Sequence, residues 1–346
     1  MTIAELARQR PVVPLRAEKP GTAAPRPELA PKVSVLIVTW NSAAWIGRCL
    51  GAVPAACGDV PWEVIVHDNA SSDETVDLAR GFRDRVSVAS DDANSGFAGG
   101  MNRALERARG EYVLFLNPDC ELDPDSVRTL ASYLDSEPAV AAVAPLLHGE
   151  DGLPQREFQL RRFPTVRSLV SDLLLLDELI PSNGAAHSYR YRDLDISLPQ
   201  AVEQPAGAAL MVRRSVLQRV GSFDERFFPA WFEDVDLCRR LWESGGAIHL
   251  VPSARATHRG GVCLDHVEFA EFLSIWYRNL ALYASKWFRR GDVELLRIAT
   301  LLGMSLRILA TAAGLGRSPL RRRETLRAYR RVLGEAFRRW EESPSS

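Results

Sequence analysis

Three short apolar runs in this chain stop abruptly on polar turns, and that punctuation restricts the fold more than any other feature. Val33–Thr39 breaks at Trp40-Asn41, Glu63–His67 at Asp68-Asn69, and Tyr112–Leu116 at Asn117-Pro118-Asp119. Runs of five to seven residues rich in Val, Ile and aromatics read as buried strands, and amphipathic stretches separate them. Helices are expected through about residue 50 and over 72–82, 98–108 and 124–134, with further strands at 86–89 and 140–144. Strands alternating with helices of this length imply βαβ units, hence an α/β fold with a doubly wound, mostly parallel sheet and helices on both faces. Such a sheet builds ligand sites at the carboxyl ends of its strands, where these turns fall.

After Pro145 the rhythm breaks. Residues 146–205 mix loops, a Leu-rich helix expected over 169–179 and a Tyr/Arg/Asp-rich stretch, an irregular excursion beside the site. Strands resume at 207–212 and 247–251, with helices at 215–220 and 234–244, the latter stopped by Gly245-Gly246. From His266 onward the pattern is helical, and no internal repeat is found.

With 346 residues, 46% hydrophobic and 25% charged, the chain has room for one large α/β domain with appendages, or for two domains. Its net charge of −1 hides an asymmetry: residues 286–340 hold 14 Arg/Lys against 4 Asp/Glu, a surplus of ten. The Arg clusters there alternate with Leu/Ile/Ala stripes, as in helices that lie on anionic bilayers. A solvated helical face explains the same pattern, and no recognition motif accompanies the charge to indicate nucleic acid. Five scattered cysteines without CxxC spacing fit a reducing cytoplasm better than a disulfide framework. Residues 1–31 carry six prolines and no apolar core of a signal peptide, so they read as a disordered tail. The most apolar stretch, 298–316, is interrupted by Arg307, whereas a span needs about 20 predominantly apolar residues.

Five features carry chemistry. Thr39, Asn41 and Asp68 stand at two strand ends where a carboxylate can accept from a base or ribose, although Asn, Ser and Asp also form turns and caps. Asn94-Ser95-Gly96-Phe97-Ala98-Gly99-Gly100 places three glycines at a strand-to-helix junction, where a ligand can approach backbone and a helix N-terminus faces an anion. Asp119 is placed to bind a divalent cation bridging diphosphate oxygens, with Asn117 and the Pro-fixed turn shaping the approach. Trp231-Phe232-Glu233-Asp234-Val235-Asp236 sets acids beside aromatics before a helix. Aromatic surroundings and the neighbouring Glu233 and Asp236 are expected to raise the pKa of Asp234, suiting a general base, while a capped helix is the plainer explanation. His258, before Gly260-Gly261, is either a structural histidine or a second metal ligand.

Taken together, these pieces resemble the inverting family 2 glycosyltransferases of GT-A type, especially the rhamnosyltransferase-like branch. The matching segments run in family order: 35–41, 68–73, 94–102, 116–119, 207–214, then Phe223-Asp224-Glu225-Arg226-Phe227-Phe228 into Glu233-Asp234-Val235-Asp236-Leu237. The resemblance spans about residues 33–285. It implies a GT-A domain over 32–265, its halves 32–145 for the nucleotide sugar and 146–265 for acceptor and catalysis. A basic helical region follows over 266–340, with a tail over 341–346.

The resemblance also implies roles. Thr39, Asn41, Asp68, Asn94, Gly96, Phe97 and Asn117 would face the donor, and Trp231, Glu233 and Asp236 the acceptor. Asp119 and His258 would hold Mg²⁺ or Mn²⁺, and Asp234 would be the base in a single inverting displacement. Asn117 departs from the family pattern, where many relatives carry a first Asp. The donor implied is a nucleotide sugar, dTDP-L-rhamnose first. The acceptor is a saccharide or polyprenyl-diphosphate-linked saccharide in cell-wall or surface polysaccharide assembly. The expected location is cytoplasmic and peripheral, against an anionic membrane surface, without nucleic acid. A nucleotidyltransferase and a non-catalytic scaffold are the alternatives.

Overall fold

The computed structural model describes residues 30–82, 86–176, 180, 184–260, 267–315 and 322–339. The tail expected over 1–31 lies outside them except at Ala30 and Pro31. Strands β1 (Val33–Thr39), β2 (Trp62–Asp68), β3 (Val86–Ser90) and β4 (Tyr112–Leu116) alternate with helices α1 (Ala43–Cys57), α2 (Thr75–Arg80) and α3 (Gly96–Glu106). Next come β5 (Cys120–Leu122), α4 (Ser126–Ser136) and β6 (Val140–His148). The excursion holds α5 (Arg156–Gln159), β7 (Leu160–Arg161), α6 (Val166–Leu173), α7 (Gly184–Tyr189), β8 (Gln200–Ala201) and β9 (Gln204–Pro205). The chain then returns through β10 (Ala209–Arg213), α8 (Arg214–Val220), α9 (Glu233–Glu243) and β11 (Ala247–His258). It closes on α10 (Phe269–Trp287), α11 (Arg290–Ala312) and α12 (Arg322–Arg339).

The main sheet has the order β3-β2-β1-β4-β10-β6-β11-β5, with β8 on β11. The first four strands are mutually parallel, β10 runs antiparallel between β4 and β6, and β6 pairs parallel with β11. Alternation along β1 explains the layering, because successive side chains point to opposite faces. Val33, Val35 and Ile37 face a core built with Ile46, Leu50 and Val53 of α1 and Leu130 of α4. Leu36 and Val38 face a second core with Met101 of α3, Val216 of α8 and Leu237 of α9. A third cluster joins Phe227, Phe232 and Val235 to Leu280 and Tyr283 of α10, Leu296 and Met304 of α11 and Val332 of α12. The C-terminal helices therefore pack on the segment that carries the acids.

Three expectations are corrected. The last strand runs to His258 rather than stopping at Val251. Register shifts at Ala247/Ile248 and between Val251 and Arg255 let it continue, pairing Arg255–Thr257 with 146–148 and His258 with Cys120. The Leu-rich helix opens at Val166 because Thr165 caps it, accepting from the Ser168 amide, and it ends at Leu173 before Leu175 at φ 58°. Strand β5 has no counterpart among the strands expected from the sequence. One described helix, Arg290–Ala312, is long and apolar enough to cross a membrane, with 33% of its apolar window buried inside the protein.

Candidate functional site

The first two strand ends form one polar cradle. Asp68, 1% exposed, accepts from Thr39 Oγ1 at 2.7 Å, Ser71 N at 2.8 Å and Ser71 Oγ at 2.6 Å. Asn41, in the left-handed region at φ 49°, donates its amide to Ser71 Oγ and accepts from the Ser72 amide, both at 2.8 Å. The three residues expected there are thus in one hydrogen-bonded set.

The glycine-rich segment does something other than expected. Gly96 sits at φ 76°, and a Cβ there would come within 2.8 Å of the Pro229 carbonyl oxygen. Its amide donates to Asn94 Oδ1 at 2.8 Å, and the Phe97 amide donates to Pro229 O at 2.7 Å. Close approach here is made by protein backbone, and two amides expected to face an anion are already engaged. The segment buttresses the loop ahead of Asp234.

Asp119 and His258 meet across β5 and β11. Asp119 Oδ2 lies 3.5 Å from His258 Nε2 and accepts from the Gly260 amide at 3.1 Å. Gln155 fixes the imidazole: its Nε2 donates to the His258 carbonyl at 2.7 Å, so its Oε1, 2.9 Å from Nδ1, must accept the Nδ1 proton. The Phe158 ring stacks on the imidazole at 4.7 Å. Burial depresses the His258 pKa against the opposing pull of Asp119. A neutral ring protonated at Nδ1 leaves the Nε2 lone pair facing Asp119, the arrangement a metal-binding histidine needs. Cys120 lies within the same group, its ligand atoms all within 4.8 Å. Burial drives the Cys120 thiol well up and its Sγ contacts Ala208 O at 3.3 Å, so it is a protonated neighbour. One carboxylate oxygen and one imidazole nitrogen, with room for phosphate oxygens, fit Mn²⁺ or Mg²⁺. An open cleft lies here, lined by Trp45, Arg48, Pro118, Asp119 and Arg259, the Arg259 guanidinium 4.1 Å over the Trp45 ring.

The Gly207-Ala208 turn ties this metal-side group to the second acid. Ala208 O accepts from the Asn117 amide at 2.9 Å, while the Gly207 amide donates to Asp234 Oδ2 at 3.0 Å. A Cβ on Gly207 would press on Asp234 Cβ at 3.0 Å. Asp234 Oδ1 also accepts from the Val235 amide at 2.8 Å. Burial raises the Asp234 pKa, opposed by those amide bonds. The cause is desolvation, where the sequence pointed also to neighbouring acids. Glu233 is 6% exposed, its Oε2 lacks a hydrogen-bond partner among the described residues, and burial with the nearby Asp234 raises its pKa well above the usual range.

Trp231 and Phe232, at φ 75° and 76°, turn the chain sharply into α9. Asn279 of α10, fully buried, holds that turn by donating to Ala230 O at 2.8 Å and Trp231 O at 3.1 Å. The Trp231 ring itself packs edge-on against Phe272 at 4.9 Å.

Asp236, expected on the acceptor side, is instead internal. It is 0% exposed and bonded to Arg240 Nε at 2.9 Å, Lys286 Nζ at 2.8 Å and Trp287 Nε1 at 2.9 Å. Lys286 also bridges to Asp224, whose carboxyl Arg226 and Lys286 hold well below the usual range.

Sequence reasoning passed over Gln155, Gly207 as a site residue, and Asn279. Gly207, directly before an apolar strand, was the only one with a local signal. The other two lie 103 and 48 residues from the groups they orient.

The profile described as Glycosyl transferase family 2 matches residues 34–221. The N-acetylglucosaminyl-diphospho-decaprenol L-rhamnosyltransferase of Mycobacterium tuberculosis is 30% identical over 240 residues, covering 65% of this chain and 75% of that protein. Rhamnosyltransferase WbbL of Escherichia coli is 28% identical over 151 residues, covering 44% of this chain and 53% of that one. Among solved structures, the mannosyltransferase PcManGT of Pyrobaculum calidifontis, in complex with GDP-Man and Mn²⁺, superposes with a TM-score of 0.52 at 19% identity. That superposition covers 94% of this chain and 92% of that one and supports the fold.

Proposed function

The chain belongs to glycosyl transferase family 2, and from that premise we propose that it transfers L-rhamnose from dTDP-L-rhamnose to a polyprenyl-diphosphate-linked saccharide, inverting the anomeric centre. One observation carries the reading: a carboxylate of raised proton affinity, Asp234, stands one short turn away from an Asp119–His258 pair suited to a divalent cation. Sugar and acceptor are taken from the M. tuberculosis relative's name.

Each group then has a task. Thr39, Asn41 and Asp68 hold the nucleoside, Asp68 accepting from ribose or base. Arg48 and Arg259 face the cleft beside Asp119 with positive charge suited to a diphosphate. Asp119 and His258 would hold Mg²⁺ or Mn²⁺, which when bound neutralises charge on the departing diphosphate. Asp234 takes the proton of the acceptor hydroxyl as that oxygen attacks the anomeric carbon. Burial helps it, because a carboxylate taken from water binds the proton more tightly. Asn117 leaves the cation site one charge short of an Asp pair, so Asp119 and the Nδ1-anchored His258 carry the binding. The enzyme works at the cytoplasmic face of the membrane, where a lipid-linked acceptor is presented.

The test is a panel of nucleotide sugars scored for Mg²⁺- or Mn²⁺-dependent release of nucleoside diphosphate, with lipid-linked acceptor present. Rhamnose transfer from dTDP-L-rhamnose is expected; release of pyrophosphate instead would indicate nucleotidyl transfer. Asp234→Asn is expected to lower turnover by about 10²–10⁴-fold with donor affinity kept. Turnover at the unaltered rate would remove Asp234 as the base.

A further inference from the structure

From Leu295 to Ala312, every exposed position of α11 is apolar: Leu295, Ile298, Leu302, Leu306, Leu309 and Ala312. The five large side chains are 43–65% exposed and fall within about one quarter of the helix circumference. A stripe of that length and purity is foreign to a surface facing water alone.

We propose that α11 lies in the plane of an anionic lipid bilayer, its Leu295–Leu309 stripe immersed at the headgroup–acyl boundary. The opposite face of the helix excludes a spanning orientation. Leu296 and Met304 are 0% exposed within the third core. Gly303 is pressed so closely against α6 that a Cβ would stand 2.0 Å from the Leu173 carbonyl oxygen. Arg307, the residue that interrupts the apolar sequence, turns inward and donates to Leu173 O at 2.6 Å and Asp172 O at 3.3 Å. It thereby caps the carboxyl end of α6. Crossing a bilayer would strip all of these contacts.

Charge selects the occupant. Between Leu295 and Arg323 the sequence holds six arginines and no Asp or Glu; of the six, Arg307 turns inward and Arg297 pairs with Glu294. On α12, packed beside α11, the exposed positions include Arg322, Arg323, Arg327 and Arg330. Two copies meeting through this face would bring those cations together, whereas an anionic surface would attract them. The surface is separate from the sugar-transfer site, so the inference goes beyond the proposed reaction.

The experiment floats the full-length protein with phosphatidylcholine vesicles containing about one-third phosphatidylglycerol. The unaltered protein is expected to float, to be released by an alkaline wash, and to bind pure phosphatidylcholine at least about tenfold more weakly. Leu302→Glu with Leu306→Glu is expected to cut partitioning at least about tenfold at an unchanged melting temperature. The milder Leu306→Ser lowers it less and serves if the double variant misfolds. Undiminished flotation of either variant, equal binding to neutral vesicles, or retention through the alkaline wash would each overturn the proposal. A dimer in free solution that Leu302→Glu dissociates would show a second copy as the occupant instead. Flotation requires neither donor nor acceptor. Its loss with Asp234-dependent turnover intact rejects the lipid surface alone, and flotation without sugar transfer rejects the proposed reaction alone.

Discussion

Two residues apart on an α-helix turn the side chains of Asp234 and Asp236 about 200° from each other. Asp234 looks toward Gly207 and the metal side, whereas Asp236 looks inward to Arg240, Lys286 and Trp287. Asp236→Ala would leave Arg240 Nε and Trp287 Nε1 without their acceptor beside a buried gap, while Lys286 keeps Asp224, and is expected to cost about 1–3 kcal/mol in urea denaturation. Glu233 tests the electrostatics differently. Its folded-state pKa lies above its unfolded value, so its contribution to stability is full at low pH and is lost as pH rises through the folded pKa. Glu233→Gln keeps the shape and removes the titration. It is expected to melt higher than the unaltered protein at about pH 8 and nearly equally at about pH 4, a comparison calorimetry can make.

At the scale of elements, β1, β2 and β4 were legible because each is a short apolar run closed by a turn, and Thr39, Asn41, Asp68 and Asp119 lie at those strand ends, Asp68 as the last residue of β2. Strand β5 was not, since three residues between two turns show no periodicity. The extension of β11 was hidden by Pro252 and Ser253, where register shifts and pairing resumes at Arg255. For the same reason the strand that His258 closes, paired there with Cys120, was longer than expected. The three glycines of α3 were recognised, but the contact of Gly96 with the Pro229 loop is a tertiary fact between segments far apart in the chain. Gly96→Ala puts a side chain into the left-handed region and against Pro229 O. It is expected to displace the Asp234 loop and lower kcat at least about tenfold while costing about 1–3 kcal/mol of stability. Steady-state kinetics and thermal melting check both figures.

Across the whole molecule, the surplus of positive charge near the carboxyl end pointed to helices at a lipid surface. Nothing in the sequence said that those helices also support the acid loop. Asn279 of α10 donates to two consecutive carbonyls of that loop, and Arg278 donates to the Phe228 carbonyl. Asn279→Leu leaves both carbonyls unsatisfied in a buried site, a loss of about 1–3 kcal/mol. The expected result is a lower kcat with vesicle flotation unchanged, measured on one preparation.

That amide clamp has a practical corollary for anyone wishing to trim or recombine the protein. Cutting the chain ahead of Phe269 to gain a more tractable enzyme would discard the group that props up its own proton acceptor. Grafting a foreign membrane anchor at that boundary would do the same harm, unless the graft brought an equivalent amide to Ala230 and Trp231.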